Sequence, residues 1–146
     1  MSSGPNVLEQ LSILADPTRS RVLLLLERHE LTVGELCTIL QLPQSTVSRQ
    51  LKLLADDAWL VSRGEGTSRF YRMLGDRLDE STKSLWSVVR GQISAGAGAR
   101  QDERRAEGVL AKHEAIPTWS EGKIERRRKI CTSDAGVTHA HKRRTQ

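Results

Sequence analysis

QLPQSTVSRQLKLL, residues 41–54, is the stretch on which the fold turns. Gln41-Leu42-Pro43 interrupts a helical pattern, and apolar side chains then return at helical spacing as Val47, Leu51 and Leu54. A helix over about 44–57 that buries those three residues presents Gln44, Ser45, Thr46, Ser48, Arg49 and Lys52 on its opposite side. Uncharged hydrogen-bonding groups near the amino end, with cations further along, suit the reading of base edges. Gln pairs with adenine, Arg with guanine, and Ser or Thr with either. The helix amino terminus and its small hydroxyls also accept a phosphate.

Moving toward the amino terminus, Thr32 followed by Glu35 is a capping-box pattern that opens a short helix through Leu40, with Leu36, Ile39 and Leu40 inward. Asp16-Pro17 starts the helix before it, because Asp16 can cap and Pro17 forfeits no needed donor at the first position. The run Val22-Leu23-Leu24-Leu25-Leu26 is apolar nearly all round, which makes that helix the buried centre. Val7, Leu8, Leu11 and Leu14 mark an amphipathic first helix.

Moving the other way, the period changes after Trp59 from helical to alternating. Residues 59–63 and 69–73 read as two short strands, and residues 64–68, GEGTS, supply a permissive hairpin loop. Arg63, Arg69 and Arg72 surround a single acid, Glu65, and Thr67 adds a donor at the tip, so the hairpin is suited to phosphates or the minor groove. From about Asp76 a helical stripe returns as Leu78, Leu85, Val89 and Ile93, flanked by Trp86 and Val88. The order is four helices, a hairpin and a helix. It predicts a mainly α fold with a small β-hairpin, a winged helix-turn-helix, whose second helix of the pair enters a major groove about 12 Å wide.

Composition agrees and narrows the field. The 146 residues carry a net charge of +5 and 37% apolar side chains, which fits one small domain with appendages rather than a catalytic barrel of roughly 250 residues. Residues 1–75 hold eight Lys/Arg and eight Asp/Glu, so the whole cationic excess lies in the second half. Leucine is absent after Leu110, and Phe, Tyr and Met are absent after Met73. The expected organisation is therefore a DNA-binding and dimerisation domain at 1–95, a helical connector at 96–112 and a disordered basic tail at 113–146. No apolar run reaches a membrane span and no secretory leader is visible, so no membrane partner is expected. Cys37 and Cys131 form no disulfide framework, which suits the cytoplasm. No Ser/His/Asp set, paired carboxylates or phosphate loop stands out, so neither an enzyme nor a cofactor is expected, and His29 reads as a surface residue.

LADPTRSRVL, residues 14–23, resembles the opening signature of the ArsR/SmtB family of winged-helix repressors. Residues 41–54 resemble its recognition region, and RGEGTSRFY, residues 63–71, its wing. The likeness extends over about 8–95. It implies a homodimeric repressor that holds double-stranded operator DNA and releases it when an inducer arrives. Many members sense metals, yet a frequent thiol site, Glu-Leu-Cys-Val-Cys, reads here as Glu35-Leu36-Cys37-Thr38-Ile39, with only one thiol. The other common site, on the last folded helix, finds no histidine between Asp76 and Ile93. No metal site is expected, and Cys37 reads as a small buried hydrophobe. Cys131, or the pair His139 and His141, would be the remaining routes to a metal.

A two-fold dimer reads two half-sites, and the stripes left over for its seam are Leu8, Leu11, Leu78, Leu85, Val89 and Ile93. Residues 95–99 read as a flexible join, and residues 101–112 as a charged, exposed helix similar to the connector of ArsR-type regulators that continue into a methyltransferase domain. No such domain is expected in the residues after it, which lack a glycine-rich strand-to-helix loop; the composition changes near His113, as a shifted reading frame would make it. Arg126-Arg127-Arg128-Lys129 and Lys142-Arg143-Arg144 are cationic clusters able to touch phosphates. The competing function is a winged-helix protein-interaction module without specific DNA binding. Arg49, Lys52 and the three wing arginines weigh against it.

Overall fold

Asp16 begins the central helix as expected, its Oδ1 accepting from the amides of Thr18 at 2.7 Å and Arg19 at 3.2 Å, with Pro17 at the first position. In the computed structural model, which describes residues 6–114, the order is α1 (Val7–Leu14), α2 (Pro17–Arg28), β1 (Leu31–Thr32), α3 (Val33–Leu40) and α4 (Gln44–Asp56). It continues with β2 (Leu60–Glu65), β3 (Ser68–Met73), a 3-10 turn at Gly75–Arg77, α5 (Glu80–Ser94) and α6 (Ala97–Glu114). The architecture is mainly helical with a small antiparallel sheet. The tail, with Cys131, His139, His141 and both basic clusters, lies outside the described residues.

α2 buries all five of Val22, Leu23, Leu24, Leu25 and Leu26, around which Leu36 and Ile39 of α3, Val47, Leu51 and Leu54 of α4, and Trp59 close. Fully burying side chains of this size contributes about 1.5–3 kcal/mol each. Trp86 from α5 meets Trp59 edge-to-face with centroids 6.3 Å apart, tying α5 to the start of the hairpin.

Three features differ from the sequence reading. A third strand, β1, pairs with β3 through Leu31–Tyr71 and Thr32–Phe70, giving the sheet order β1-β3-β2. The hairpin loop is tighter than the five residues expected, because pairing runs out to Glu65 and Ser68 and leaves Gly66 and Thr67 at the tip. Gly66 takes a φ of +61°, which glycine adopts without steric cost. Leu78 lies before α5 rather than on it.

The connector differs most. α6 is a helix, but up to Val109 it is docked rather than exposed. Ala99, Asp102 and Ala106 are buried, at the three- and four-residue spacing of one helix face. Two compact units divide at Val109, and the described part of the second is the end of α6. No described helix is long and apolar enough to cross a membrane.

Candidate nucleic-acid interface

The helix pair is built by two local devices. At the start of α3, the Thr32 amide donates to Glu35 Oε2 at 2.7 Å and the Glu35 amide to Thr32 Oγ1 at 3.3 Å, a reciprocal capping box. At its end Gln41 turns left-handed, φ 54°, and both its amide and that of Leu42 return to the Cys37 carbonyl. The chain then enters α4 through Pro43, whose carbonyl receives the amides of Thr46 and Val47 at 3.1 Å. Pro43 contributes no side-chain cap, which leaves the first amides of α4 available.

On α4, Val47, Leu51 and Leu54 point into the core. Gln44, Ser45, Ser48, Arg49 and Lys52 are exposed and Thr46 is half-buried, so the six residues selected from sequence share the outward side. Gln50, not selected, is half-buried and accepts from Arg19 Nη1 at 3.4 Å. Arg19 also donates Nε to the Ile13 carbonyl at 2.7 Å and Nη2 to that of Ser12 at 3.2 Å. One guanidinium thus ties the end of α1 to the side of α4. Its place in the opening signature was visible in sequence; its partners, 31 residues away in one case, were not.

In the wing, Thr67 and Arg69 are exposed, and Arg69 Nη1 donates to Ser62 Oγ at 2.9 Å. Arg63 departs from the expectation of a free cation. Its side chain keeps only 11% of its exposure, with Nε 2.5 Å from Glu30 Oε1, Nη1 3.0 Å from Glu65 Oε2, and its plane over the Phe70 ring at 4.9 Å. Burial works against its charge, but Glu65 and Glu30 outweigh burial and hold the guanidinium above its ordinary pKa. Its charge is spent on bracing the wing. Arg72 is half-buried and also engaged.

The residues selected for a dimer seam fall into two groups. Leu8 is 72% exposed and Leu11 is also exposed on α1, which packs against α5. Leu78, ahead of α5, is half-buried, and Leu85, Val89 and Ile93 are half-buried because α5 turns Thr82 and Trp86 to the core. Exposed apolar residues outside that selection are Val7 on α1, Leu53 on α4 and Val88 on α5, the last 68% exposed. Val88 was seen only as a flank of the stripe; the turn of α5 that exposes it is set by Trp86.

Cys37 is half-buried on α3 as a free thiol, and among the described residues no three His, Cys, Asp or Glu side chains gather in a way that could hold a metal ion. His29 is not a bare surface residue, its Nε2 lying 2.9 Å from Glu103 Oε1 on α6.

Residues 16–57 match the family model described as "Bacterial regulatory protein, arsR family". Over 116 residues the chain is 30% identical to the HTH-type transcriptional regulator KmtR of Mycobacterium tuberculosis, covering 80% of this chain and 87% of that protein. It is 45% identical over 62 residues to the arsenical resistance operon repressor of Escherichia coli, covering 42% of this chain and 53% of that relative, about half its length. The crystal structure of the transcriptional repressor BigR from Xylella fastidiosa superposes with a TM-score of 0.51 at 26% identity, over 61% of this chain and 84% of that one.

Proposed function

The chain belongs to the arsR family of bacterial regulatory proteins, winged helix-turn-helix DNA-binding transcriptional regulators, and from that premise we propose that it works as a homodimeric repressor released from its operator by a signal. The observation that carries this reading is the outward side of α4. Its hydrogen-bonding groups and two cations are free of the core, and it stands on a helix pair with a wing beside it. α4 enters the major groove, where Gln44, Ser45, Thr46, Ser48 and Arg49 meet base edges and Lys52 meets phosphate. Thr67 and Arg69 reach the neighbouring backbone, and Arg63 holds the hairpin that carries them.

One such helix makes few base contacts; two, spaced about 34–36 Å apart by a two-fold axis, make a sequence-specific site. Val7, Leu8, Leu11 and Val88 supply the self-complementary apolar face for that axis, on helices that already pack together. Repression accords with the likeness to the arsenical resistance operon repressor of Escherichia coli and to the repressor BigR of Xylella fastidiosa. The place of action is the cytoplasm, where operator DNA is.

Gel shift against the DNA upstream of its own gene, beside sedimentation at micromolar concentration, tests the reading. The expected result is a dimer that prefers this duplex over a scrambled one at equal salt. Equal affinity for both duplexes refutes sequence-specific regulation, and a monomer with Leu8 exposed refutes the seam.

A further inference from the structure

We propose that the cleft where α6 lies along α2 binds a small organic anion with an apolar body, and that its occupation loosens α6 from the helix-turn-helix. The inference rests on the regulator reading and gives the chemistry of its signal. The cleft has a volume of about 230 Å³, which leaves room for a ligand the size of benzoate. Leu24 and Ala99 form its apolar floor. Its rim carries Arg28, Arg100 and Arg104 against two acids, Glu103 and Glu107.

The cations are unevenly used. Glu103 is shared by Arg28 Nη1 at 3.3 Å and His29 Nε2 at 2.9 Å. Arg104 is exposed and has no ion pair among the described residues, and Arg100 gives Nη1 only to the Ala95 carbonyl at 3.1 Å. Two guanidiniums beside an apolar floor present the planar donor forks that a carboxylate matches.

The seam beside the cleft explains how binding would be felt. Among the described residues of α6 the buried apolar ones are two alanines, Ala99 and Ala106, so the helix is held largely by charge. Arg21 Nε and Nη2 each reach an oxygen of Asp102 at 2.7 Å, and Arg105 Nη1 donates to the Ile39 carbonyl at 3.3 Å. Ile39 lies in the last turn of α3, two residues before the left-handed Gln41 that aims α4. A ligand carboxylate seated on Arg104 shares the rim with Arg28 and competes with Glu103 for it, so α6 loses that tether to α2. Loosening α6 frees Ile39 and, through it, the turn between the two helices.

The test uses the full chain with benzoate as probe, benzamide as its neutral isostere, and sodium chloride at matched ionic strength, since salt alone weakens DNA binding. Calorimetry is expected to show benzoate binding and no comparable benzamide binding. Benzoate is expected to lower operator affinity about tenfold beyond the chloride control, and Arg104→Gln to reduce benzoate affinity by a similar factor. Unliganded operator affinity should be unchanged in Arg104→Gln, whose side chain is exposed and makes no ion pair among the described residues. Absent benzoate heat, equal binding of benzamide, or insensitivity to Arg104→Gln overturns the site. If the unliganded chain does not tell operator from scrambled duplex, the regulator reading fails, and the benzoate–benzamide comparison still decides the cleft.

Discussion

Replacing Asp102 with alanine should release α6 while leaving the helix-turn-helix folded. Asp102 is 2% exposed and holds Arg21 through two bonds of 2.7 Å, with Arg105 Nη1 3.6 Å away. The Asp102 bond holds Arg21 above its ordinary pKa, and although that shift is lost with its partner, a guanidinium remains protonated at neutral pH without it. Breaking a buried pair from one side costs about 3–5 kcal/mol, because the other charge is stranded. The Arg21 side chain keeps 30% of its exposure and recovers some water, which lowers the expected cost to about 2–3 kcal/mol. The alternative hold on α6 is small: two buried methyl groups contribute about 0.8 kcal/mol each. Hydrogen exchange of the α6 amides is the direct assay, and a fall in protection of roughly 30- to 150-fold corresponds to that free energy. The double variant Arg21→Leu/Asp102→Leu should return most of the protection, since an apolar pair of similar volume carries no stranded charge. A change under about threefold in Asp102→Ala, the behaviour of an exposed pair, would refute the docked seam.

Arg49→Ala should relax preference at one operator position by about 1–3 kcal/mol if its guanidinium pairs with a guanine, measured by competition among single-base operator variants. Arg69→Ala should weaken all duplexes alike and reduce the salt slope by about one; base-selective loss would reverse the two roles. Ala58 follows α4 with a φ of 61°, and the Trp59 amide returns to the Leu54 carbonyl at 2.9 Å, so Ala58→Gly should stabilise the fold by about 1 kcal/mol in urea denaturation. The Thr82 hydroxyl bonded to Asp79 holds that carboxyl below its ordinary value. The stability it contributes at the start of α5 is therefore present above the ordinary carboxylate pKa and is lost as pH falls through the lowered one; an Asp79 titration by NMR that shows no depression removes this contribution.

The helix order was legible because each helix carries its own boundary chemistry. Asp16-Pro17, Thr32 with Glu35, and the break at Gln41–Pro43 act within a few residues, and all three appear in the structure as written in the sequence. β1 was not legible, since two residues show no alternation and Leu31-Thr32 becomes a strand only because β3 lies beside it. The docked state of α6 was hidden for a related reason. Its buried face is made of Ala99, Asp102 and Ala106, which a hydrophobic pattern does not register, and the partner that makes Asp102 a buried residue is 81 positions away.

The same limit applies more sharply to the wing. Arg63, Arg69 and Arg72 are equivalent in composition and nearly so in spacing, and the sequence supplied one visible acid, Glu65, against all three. The second acid, Glu30, sits just before β1, and the pairing of β1 with β3 brings that end of the chain to the sheet on which Arg63 lies. Once Glu30 is there, Arg63 is paired twice and stacked on Phe70, while Arg69, bonded to the Ser62 hydroxyl, has no ion pair among the described residues and stays exposed. A strand too short to read thus decides which arginine of the wing keeps its charge for a partner. The α4 side escapes this ambiguity because among the described residues no acid pairs with Arg49 or Lys52, and helical spacing alone separates their face from Val47, Leu51 and Leu54. Where the distinction between bracing and binding depends on the next residue along a helix, sequence resolves it; where it depends on which strand lies alongside, only the folded chain does.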